Sequence, residues 1–98
     1  MHFFEYKDKD FYCENMKIAD IASEVKTPFY LYSHATLERH FRVFDEAFKE
    51  INHITCYSMK SNSNSAILRM FTNMGGGVDI VSGGELFRAL KAGVSPEK

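Results

Sequence analysis

The sequence predicts an α/β protein with a parallel sheet. From about residue 54, segments with strand character alternate with segments of helical periodicity, in the order strand, helix, strand, helix. This alternation is typical of parallel strands joined by right-handed helical crossovers. A parallel sheet needs cover on both faces, and two strands do not make a domain. We therefore expect the chain to be the N-terminal part of a larger protein.

The composition favours a soluble globular protein. The 98 residues are 45% hydrophobic and 26% charged, with a net charge of −1, which argues against disorder. The balanced charge predicts no nucleic-acid or membrane partner, and no apolar run approaches the ~20 residues of a membrane span. The N-terminus, MHFFEYKDKDF, lacks a signal-peptide pattern. We expect a cytoplasmic protein in which Cys13 and Cys56 are reduced thiols.

The first elements lie before residue 52. The segment KIADIASEV, residues 17–25, has apolar residues at helical spacing, and Thr27-Pro28 ends that helix. The β-rich run PFYLYS, residues 28–33, predicts a strand. Ser33 is a suitable N-cap for a second helix. Its apolar stripe is predicted to pack in the core and consists of Leu37, Phe41, Phe44, Phe48 and Ile51.

The strand and helix alternation follows. ITCYSMK, residues 54–60, predicts a strand, and Asn64 is a candidate cap for a helix over SAILRMFTNM. Gly75-Gly76-Gly77 ends that helix, because glycine accepts left-handed C-cap geometry. VDIVS, residues 78–82, predicts a second parallel strand. ELFRALKAG then predicts a short helix that ends at Gly93.

Lys60 lies at the end of a predicted strand, where α/β proteins bind ligands. Strict alternation would put Lys60 on the same face as Ser58 and Cys56. If Asp79 on the next strand faces the same space, its carboxylate would stabilise a protonated imine on the lysine. The helix that starts after Ser82 could direct backbone N–H groups at an anionic ligand.

The residues alone leave less specific interpretations open. A lysine at a strand end is usually a solvated side chain, and Gly-Gly after a strand is most often a turn. Each of these signals is weak by itself.

Three segments in order resemble one enzyme family. YSMKSNSN, GVDIVSGGEL and TPFYLYSHATLERH resemble motifs of the pyridoxal-phosphate (PLP) decarboxylases with an alanine-racemase-like barrel, and of diaminopimelate decarboxylases in particular. The resemblance runs from about Thr27 to Gly93. The ending SGGEL favours diaminopimelate decarboxylase over ornithine or arginine decarboxylase.

The resemblance implies a fold, a cofactor and a reaction. Residues 34–98 would be the first part of a PLP-binding (β/α)8 TIM-type barrel, and residues 1–33 would contribute to a second β-domain. Lys60 would form the internal aldimine with pyridoxal 5'-phosphate, with Asp79 beside the Schiff base and Ser58 on the pocket floor. The enzyme, a homodimer, would decarboxylate meso-2,6-diaminopimelate, a small amino-acid substrate, to L-lysine.

Departures and alternatives accompany this interpretation. Ser58 and Ser61 stand where the family usually has alanine, and we expect Cys56 to be an interior packing residue. The family's phosphate-binding and substrate-carboxylate residues lie downstream, so residues 1–98 alone are expected to be inactive. The alternatives are an ornithine, arginine or carboxynorspermidine decarboxylase on the same barrel, or a non-enzymatic α/β binding module.

Overall fold

A computed structural model of the chain describes residues 2–98. The chain divides into two compact units, one comprising the residues up to His40 and the other Phe41–Lys98. Among residues 2–98, no helix combines the length and the hydropathy needed to cross a lipid bilayer.

The first unit begins with a three-stranded antiparallel sheet in the order β1 (Phe4–Lys7), β2 (Asp10–Cys13) and β3 (Met16–Lys17). The register pairs Tyr6 with Phe11 and Tyr12 with Lys17. Because side chains alternate between the faces of a strand, the sheet has an aromatic face and a charged face. On the aromatic face the rings of Tyr6 and Phe11 stack with centroids 4.6 Å apart.

The sequence after this sheet forms one helix and an irregular segment. Helix α1 spans Ile18–Val25, which confirms the predicted helix. The prediction of a strand over residues 28–33 is wrong, since this segment forms no strand in the described part of the chain. A β-rich composition makes a strand only where a partner supplies ladder hydrogen bonds. Tyr30, in the middle of this segment, is 94% exposed, so its side chain packs against no neighbouring strand of the described chain.

Ser33 caps helix α2, His34–Ala47, as predicted. The Thr36 N–H donates to Ser33 Oγ at 3.1 Å, and the Leu37 N–H donates to the Ser33 carbonyl at 3.1 Å. Ser33 is buried, and its hydroxyl donates to Glu14 Oε2 at 2.8 Å. The turn between β2 and β3 therefore supplies a carboxylate to the first turn of α2, where a negative charge is favourable.

The second unit contains the predicted alternation. Strand β4 (Cys56–Ser58) is followed by α3 (Ser65–Asn73), β5 (Gly77–Asp79) and α4 (Gly83–Lys91). The two strands are parallel neighbours, as predicted. Both are three residues long and therefore shorter than the predicted segments. Asn64 caps α3 by accepting the Ala66 N–H at 2.9 Å, which confirms another predicted cap.

The core of this unit lies between the sheet and the two helices that follow its strands. Leu68 and Met59 are 0% and 1% exposed. Tyr57, Val78 and Ile80 pack against the core cluster from the sheet side. The members of this cluster are Met59, Leu68, Ala89, Ala92 and Val94.

The predicted apolar stripe of α2 is buried only in part. Phe41 is buried and its ring lies 5.5 Å from that of Phe71, centroid to centroid. Phe44, Phe48 and Ile51 are 57%, 41% and 60% exposed, so the prediction that they are core residues is wrong. Phe48 lies beyond the helix, and its ring is tilted against that of Phe44, with centroids 5.2 Å apart. Periodicity predicts which residues share a side of a helix, but burial also needs an element to cover that side.

Two glycines end α3 and α4 in the same way. Gly75 has φ 93° and Gly93 has φ 92°, the left-handed conformation that L-residues disfavour. After α3, the N–H groups of Gly75 and Gly76 donate to the carbonyls of Thr72 and Phe71 at 2.9 and 3.0 Å. This pair of bonds is a Schellman motif. It confirms the predicted helix end and returns the chain directly to the sheet.

Candidate active site

Strands β4 and β5 bring Ser58 and Asp79 side by side. The parallel register pairs Cys56 with Gly77, Tyr57 with Val78 and Ser58 with Asp79. Paired residues of neighbouring strands, about 4.8 Å apart, project from the same face. Because Tyr57 and Val78 pack against the core, the other face carries the polar pair. We call this face, formed by Cys56, Ser58, Gly77 and Asp79, the open face.

Lys60 lies in a turn directly after β4. The Met59 N–H donates to the Asp79 carbonyl at 3.1 Å, and the Ser61 N–H donates to the Ser58 carbonyl at 3.1 Å. Met59 is buried in the core, whereas Lys60 is exposed. Lys60 therefore lies at the carboxyl end of β4, where the sequence predicted it. The strand itself ends at Ser58. Strand alternation therefore stops before Lys60, whereas the sequence predicts that it includes Lys60.

Cys56 is exposed, and the prediction that it packs in the interior is wrong. It lies on the open face, which the two helices do not cover. Gly77, the residue paired with Cys56 on β5, has no room for a side chain. A Cβ added to Gly77 would lie 3.0 Å from Cys56 Sγ and 3.1 Å from Ile54 Cδ1. Glycine thus lets the two strands carry a thiol on the open face.

The other cysteine, Cys13, is free and buried in the first unit. Burial, followed by the charge of Glu14, raises the pKa of the Cys13 thiol. A raised pKa keeps the thiol protonated and unreactive.

Helix α4 begins close to the carboxyl end of β5. Ser82 Oγ accepts the Glu85 N–H at 3.1 Å, and the Val81 N–H donates to Glu85 Oε2 at 2.6 Å. This arrangement resembles a capping box, except that Glu85 reaches the residue before the cap. The first turn thus already has a hydroxyl acceptor and a negative charge. The backbone of this helix therefore needs no anionic ligand to cap it.

The sequence does not predict the polar cluster that lies at the opposite end of β4. Asp45 Oδ1 accepts from Thr55 Oγ1 at 2.7 Å and lies 2.9 Å from His53 Nε2. His53 Nδ1 lies 3.0 Å from the Ile51 carbonyl oxygen. No periodic pattern or motif links Asp45 to a loop eight to ten residues later.

The hydrogen bonds of this cluster shift two pKa values in opposite directions. Hydrogen bonds from Thr55 and then His53 lower the pKa of Asp45. The hydrogen bond to the Ile51 carbonyl, followed by that to Asp45, raises the pKa of His53. Both shifts favour the charged form of each group.

Comparison with known proteins identifies the family of this chain. Residues 34–98 match the family described as "Pyridoxal-dependent decarboxylase, pyridoxal binding domain". The chain belongs to this family. The match begins at the first residue of α2 and includes both strands of the parallel sheet.

Curated relatives match the whole chain. Diaminopimelate decarboxylases of Haemophilus influenzae and Vibrio cholerae are 46% and 44% identical to it, over 98 and 99 aligned residues. Each alignment covers 100% of this chain and 24% of the relative. The chain thus spans about a quarter of the length of the curated relatives it matches.

Solved structures of pyridoxal-dependent decarboxylases share the fold. Diaminopimelate decarboxylase from M. jannaschii in complex with L-lysine matches with a TM-score of 0.88 and 33% identity. That match covers 93% of this chain and 22% of the M. jannaschii chain. The Helicobacter pylori enzyme complexed with L-lysine matches with a TM-score of 0.76 and 42% identity, over 81% and 20% of the two chains. These likenesses confirm the predicted α/β fold class, the start of the PLP-binding barrel preceded by strands.

The residues at the carboxyl end of the sheet fit the carbonyl end of pyridoxal phosphate, the cofactor of this family. Lys60 offers a primary amine that is exposed and next to a strand end. Asp79 offers a carboxylate on the open face, paired with the small side chain of Ser58. An amine, a carboxylate and a small polar side chain are what an aldehyde cofactor with a cationic imine would require.

Proposed function

We propose that the protein containing this chain decarboxylates meso-2,6-diaminopimelate to L-lysine with pyridoxal 5'-phosphate. The observation that carries the proposal is the 46% identity, over the entire chain, to a diaminopimelate decarboxylase. The two solved structures in complex with L-lysine give further support, since lysine is the product of the proposed reaction.

We assign roles to three residues of the chain as part of this proposal. Lys60 holds the cofactor covalently through its amine. The Asp79 carboxylate favours the protonated, electrophilic form of that linkage through its negative charge. Ser58 forms a small polar floor. When bound, the cofactor accepts the electron pair left by the departing carboxyl group, and these side chains supply attachment and charge.

The proposal extends to the architecture and assembly of the protein. Residues 1–33 contribute strands to a separate β-domain, and residues 34–98 form the first two strands of the barrel with their helices. We further propose that the enzyme is a cytoplasmic homodimer. The aromatic face of the β1–β3 sheet supports the first point, because an exposed aromatic surface is usually covered by another element. Sedimentation of the complete protein tests the assembly.

The test uses the complete gene product, reconstituted with pyridoxal phosphate. Lysine formation is measured with meso-diaminopimelate, and product formation is measured in parallel with ornithine and arginine. Borohydride reduction followed by peptide mapping locates the cofactor. We expect turnover of meso-diaminopimelate and a stable cofactor adduct on Lys60.

The other outcomes separate the parts of the proposal. An adduct on Lys60 with preferred turnover of ornithine or arginine would contradict the substrate and retain the cofactor site. An adduct on a different lysine would contradict the assignment of Lys60. Absence of both adduct and turnover would favour a binding role for this fold.

A further inference from the structure

The loop between α2 and β4 is held by a histidine with two polar contacts. His53 Nε2 lies 2.9 Å from Asp45 Oδ1, at the end of α2, and His53 Nδ1 lies 3.0 Å from the Ile51 carbonyl oxygen. Asp45 Oδ1 also accepts from the Thr55 hydroxyl at 2.7 Å. Asp45 thus contacts both His53 and Thr55, which lie immediately before β4.

The partners of the ring decide its protonation state. A neutral imidazole has one N–H donor and one acceptor nitrogen, whereas the imidazolium has two donors. The Ile51 carbonyl can only accept, and so can the carboxylate of Asp45 while it is ionised. Both ring nitrogens therefore face acceptors, and only the imidazolium makes both hydrogen bonds. Loss of the proton removes one of them.

Asp45 is the charged residue whose contact with the ring is the clearest in the described part of the chain. It lies on α2 and is the source of the Coulombic effect on His53. Glu46 and Lys49, at the same end of the helix, pair with each other at 3.0 Å. From the strand side Thr55 contributes an uncharged hydroxyl, and the Phe48 ring lies 5.8 Å from the imidazole. The His53 side chain is 22% exposed, so protons reach it from solvent.

We propose that His53 is a proton-dependent clasp that fixes the loop before β4 to the end of α2. The clasp is closed while His53 is an imidazolium and Asp45 is a carboxylate. The closed clasp holds residues 51–55 in place. This loop is joined to the sheet, because the Gly77 N–H at the start of β5 donates to the Thr55 carbonyl at 2.9 Å. Opening of the clasp would therefore weaken the hydrogen bond between Gly77 and Thr55, at the amino end of the two strands that carry Ser58 and Asp79.

The direction of the pH dependence follows from the two groups. The pKa of His53 is raised above 6.5, so its stabilising contribution is complete below 6.5 and is lost as the pH rises through the raised value. The pKa of Asp45 is lowered below 3.8, so its contribution is present above 3.8 and is lost as the pH falls through the lowered value. The clasp is closed between these limits and opens as the pH rises through the raised pKa of His53.

The first test measures the titration of His53 in the complete gene product labelled with ¹³C-histidine. The sequence has four histidines, and His53→Gln identifies the resonance by its loss. We expect the His53 midpoint to lie above 6.5 and to move down in Asp45→Asn, which removes the charge at nearly constant shape. Glu46→Gln is the matched control, since it removes a neighbouring carboxylate that pairs with Lys49. A midpoint at or below 6.5, or an equal shift in both variants, overturns the proposal.

The second test measures the opening itself. Hydrogen exchange of the Gly77 amide, corrected for the intrinsic pH dependence, is followed from pH 5.5 to 8.5. We expect its protection to fall as the pH passes the His53 midpoint and to be low and independent of pH in His53→Gln. Equal protection profiles for the two proteins would overturn the clasp even if His53 titrates as expected.

Discussion

The two faces of the β4–β5 sheet differ in almost every property, although they belong to the same six residues of strand. One face directs Tyr57 and Val78 onto a core that includes Leu68, which is completely buried. The open face carries a thiol, a hydroxyl and a carboxylate, and a glycine with no room for a methyl group. The first face is built for packing, and the second is small and polar.

The comparison shows how an α/β fold separates stability from chemistry. Because neighbouring residues of a strand point to opposite faces, one residue step changes the role of a side chain. Substitutions on the packed face should therefore change the free energy of unfolding, and substitutions at the carboxyl end of the open face should change ligand binding and turnover.

The largest effect is expected for Lys60→Ala in the complete protein. If Lys60 holds the cofactor, decarboxylation should fall by at least about a thousandfold, which corresponds to roughly 4 kcal/mol of activation free energy. The unfolding midpoint should change little, because the Lys60 side chain is exposed.

Steady-state turnover and denaturant unfolding, measured on the same preparation, check this prediction. Lys91→Ala, which removes another exposed lysine at the end of α4, is the control and should retain activity. Near-normal turnover by the Lys60→Ala protein would contradict the proposal that Lys60, at the end of β4, holds the cofactor.

Leu68→Ala should have the opposite profile. The side chain is fully buried in α3, so its truncation removes apolar contacts and leaves a cavity, at a cost of about 2–5 kcal/mol in the free energy of unfolding. Denaturant unfolding measures the loss. The cofactor adduct on Lys60 should still form under native conditions. Loss of the adduct in a Leu68→Ala protein that is fully folded would show that the two faces are coupled.

Gly77→Ala tests the limit of space on the open face. An added Cβ would meet the carbonyl of Lys98 and would lie 3.0 Å from Cys56 Sγ. We expect a loss of about 1–3 kcal/mol from overpacking. The double variant with Cys56→Ala should recover part of this loss, because it removes one of the crowding atoms. An equally stable Gly77→Ala protein would contradict the crowding argument.

Gly83→Ala should give the smallest effect and the opposite sign. Gly83 lies in the first turn of α4, and a Cβ there meets no atom within 4 Å. Alanine restricts the unfolded chain more than glycine, so we expect a gain of about 0.4–1 kcal/mol. Thermal unfolding measures this gain. Gly75→Ala is the informative contrast and should be destabilising, because φ at Gly75 is 93°.

The sequence allowed prediction of the features that depend on neighbouring residues. Ser33 and Asn64 cap helices as predicted, and Gly75 and Gly93 end them. The chemistry of each cap lies within four residues of the helix end, so local reasoning was sufficient. The parallel pairing of β4 with β5 followed from the alternation of elements.

The features that depend on distant partners could not be predicted in this way. PFYLYS has the composition of a strand and forms none in the described chain, because pairing requires a second strand. Phe44 has helical spacing and is 57% exposed, because burial requires a covering element. The contact between Asp45 and His53 depends on the path of a loop, for which the sequence contains no pattern. The placement of Lys60 beside Asp79 stays a prediction from the family motifs.

The Schellman ending of α3 has a consequence for how this unit can change during evolution. Residues 74–76 alone separate α3 from β5, and a Cβ on Gly76 would lie 2.8 Å from Phe41 Cε2. This connection has no slack, so an insertion there would displace the strand. Residues 59–64, between β4 and α3, include exposed positions at Lys60, Ser61 and Asn64. This loop also contains Lys60 and the Asn64 cap of α3. Its length should therefore be kept as well, and we expect variation in length at neither end of α3.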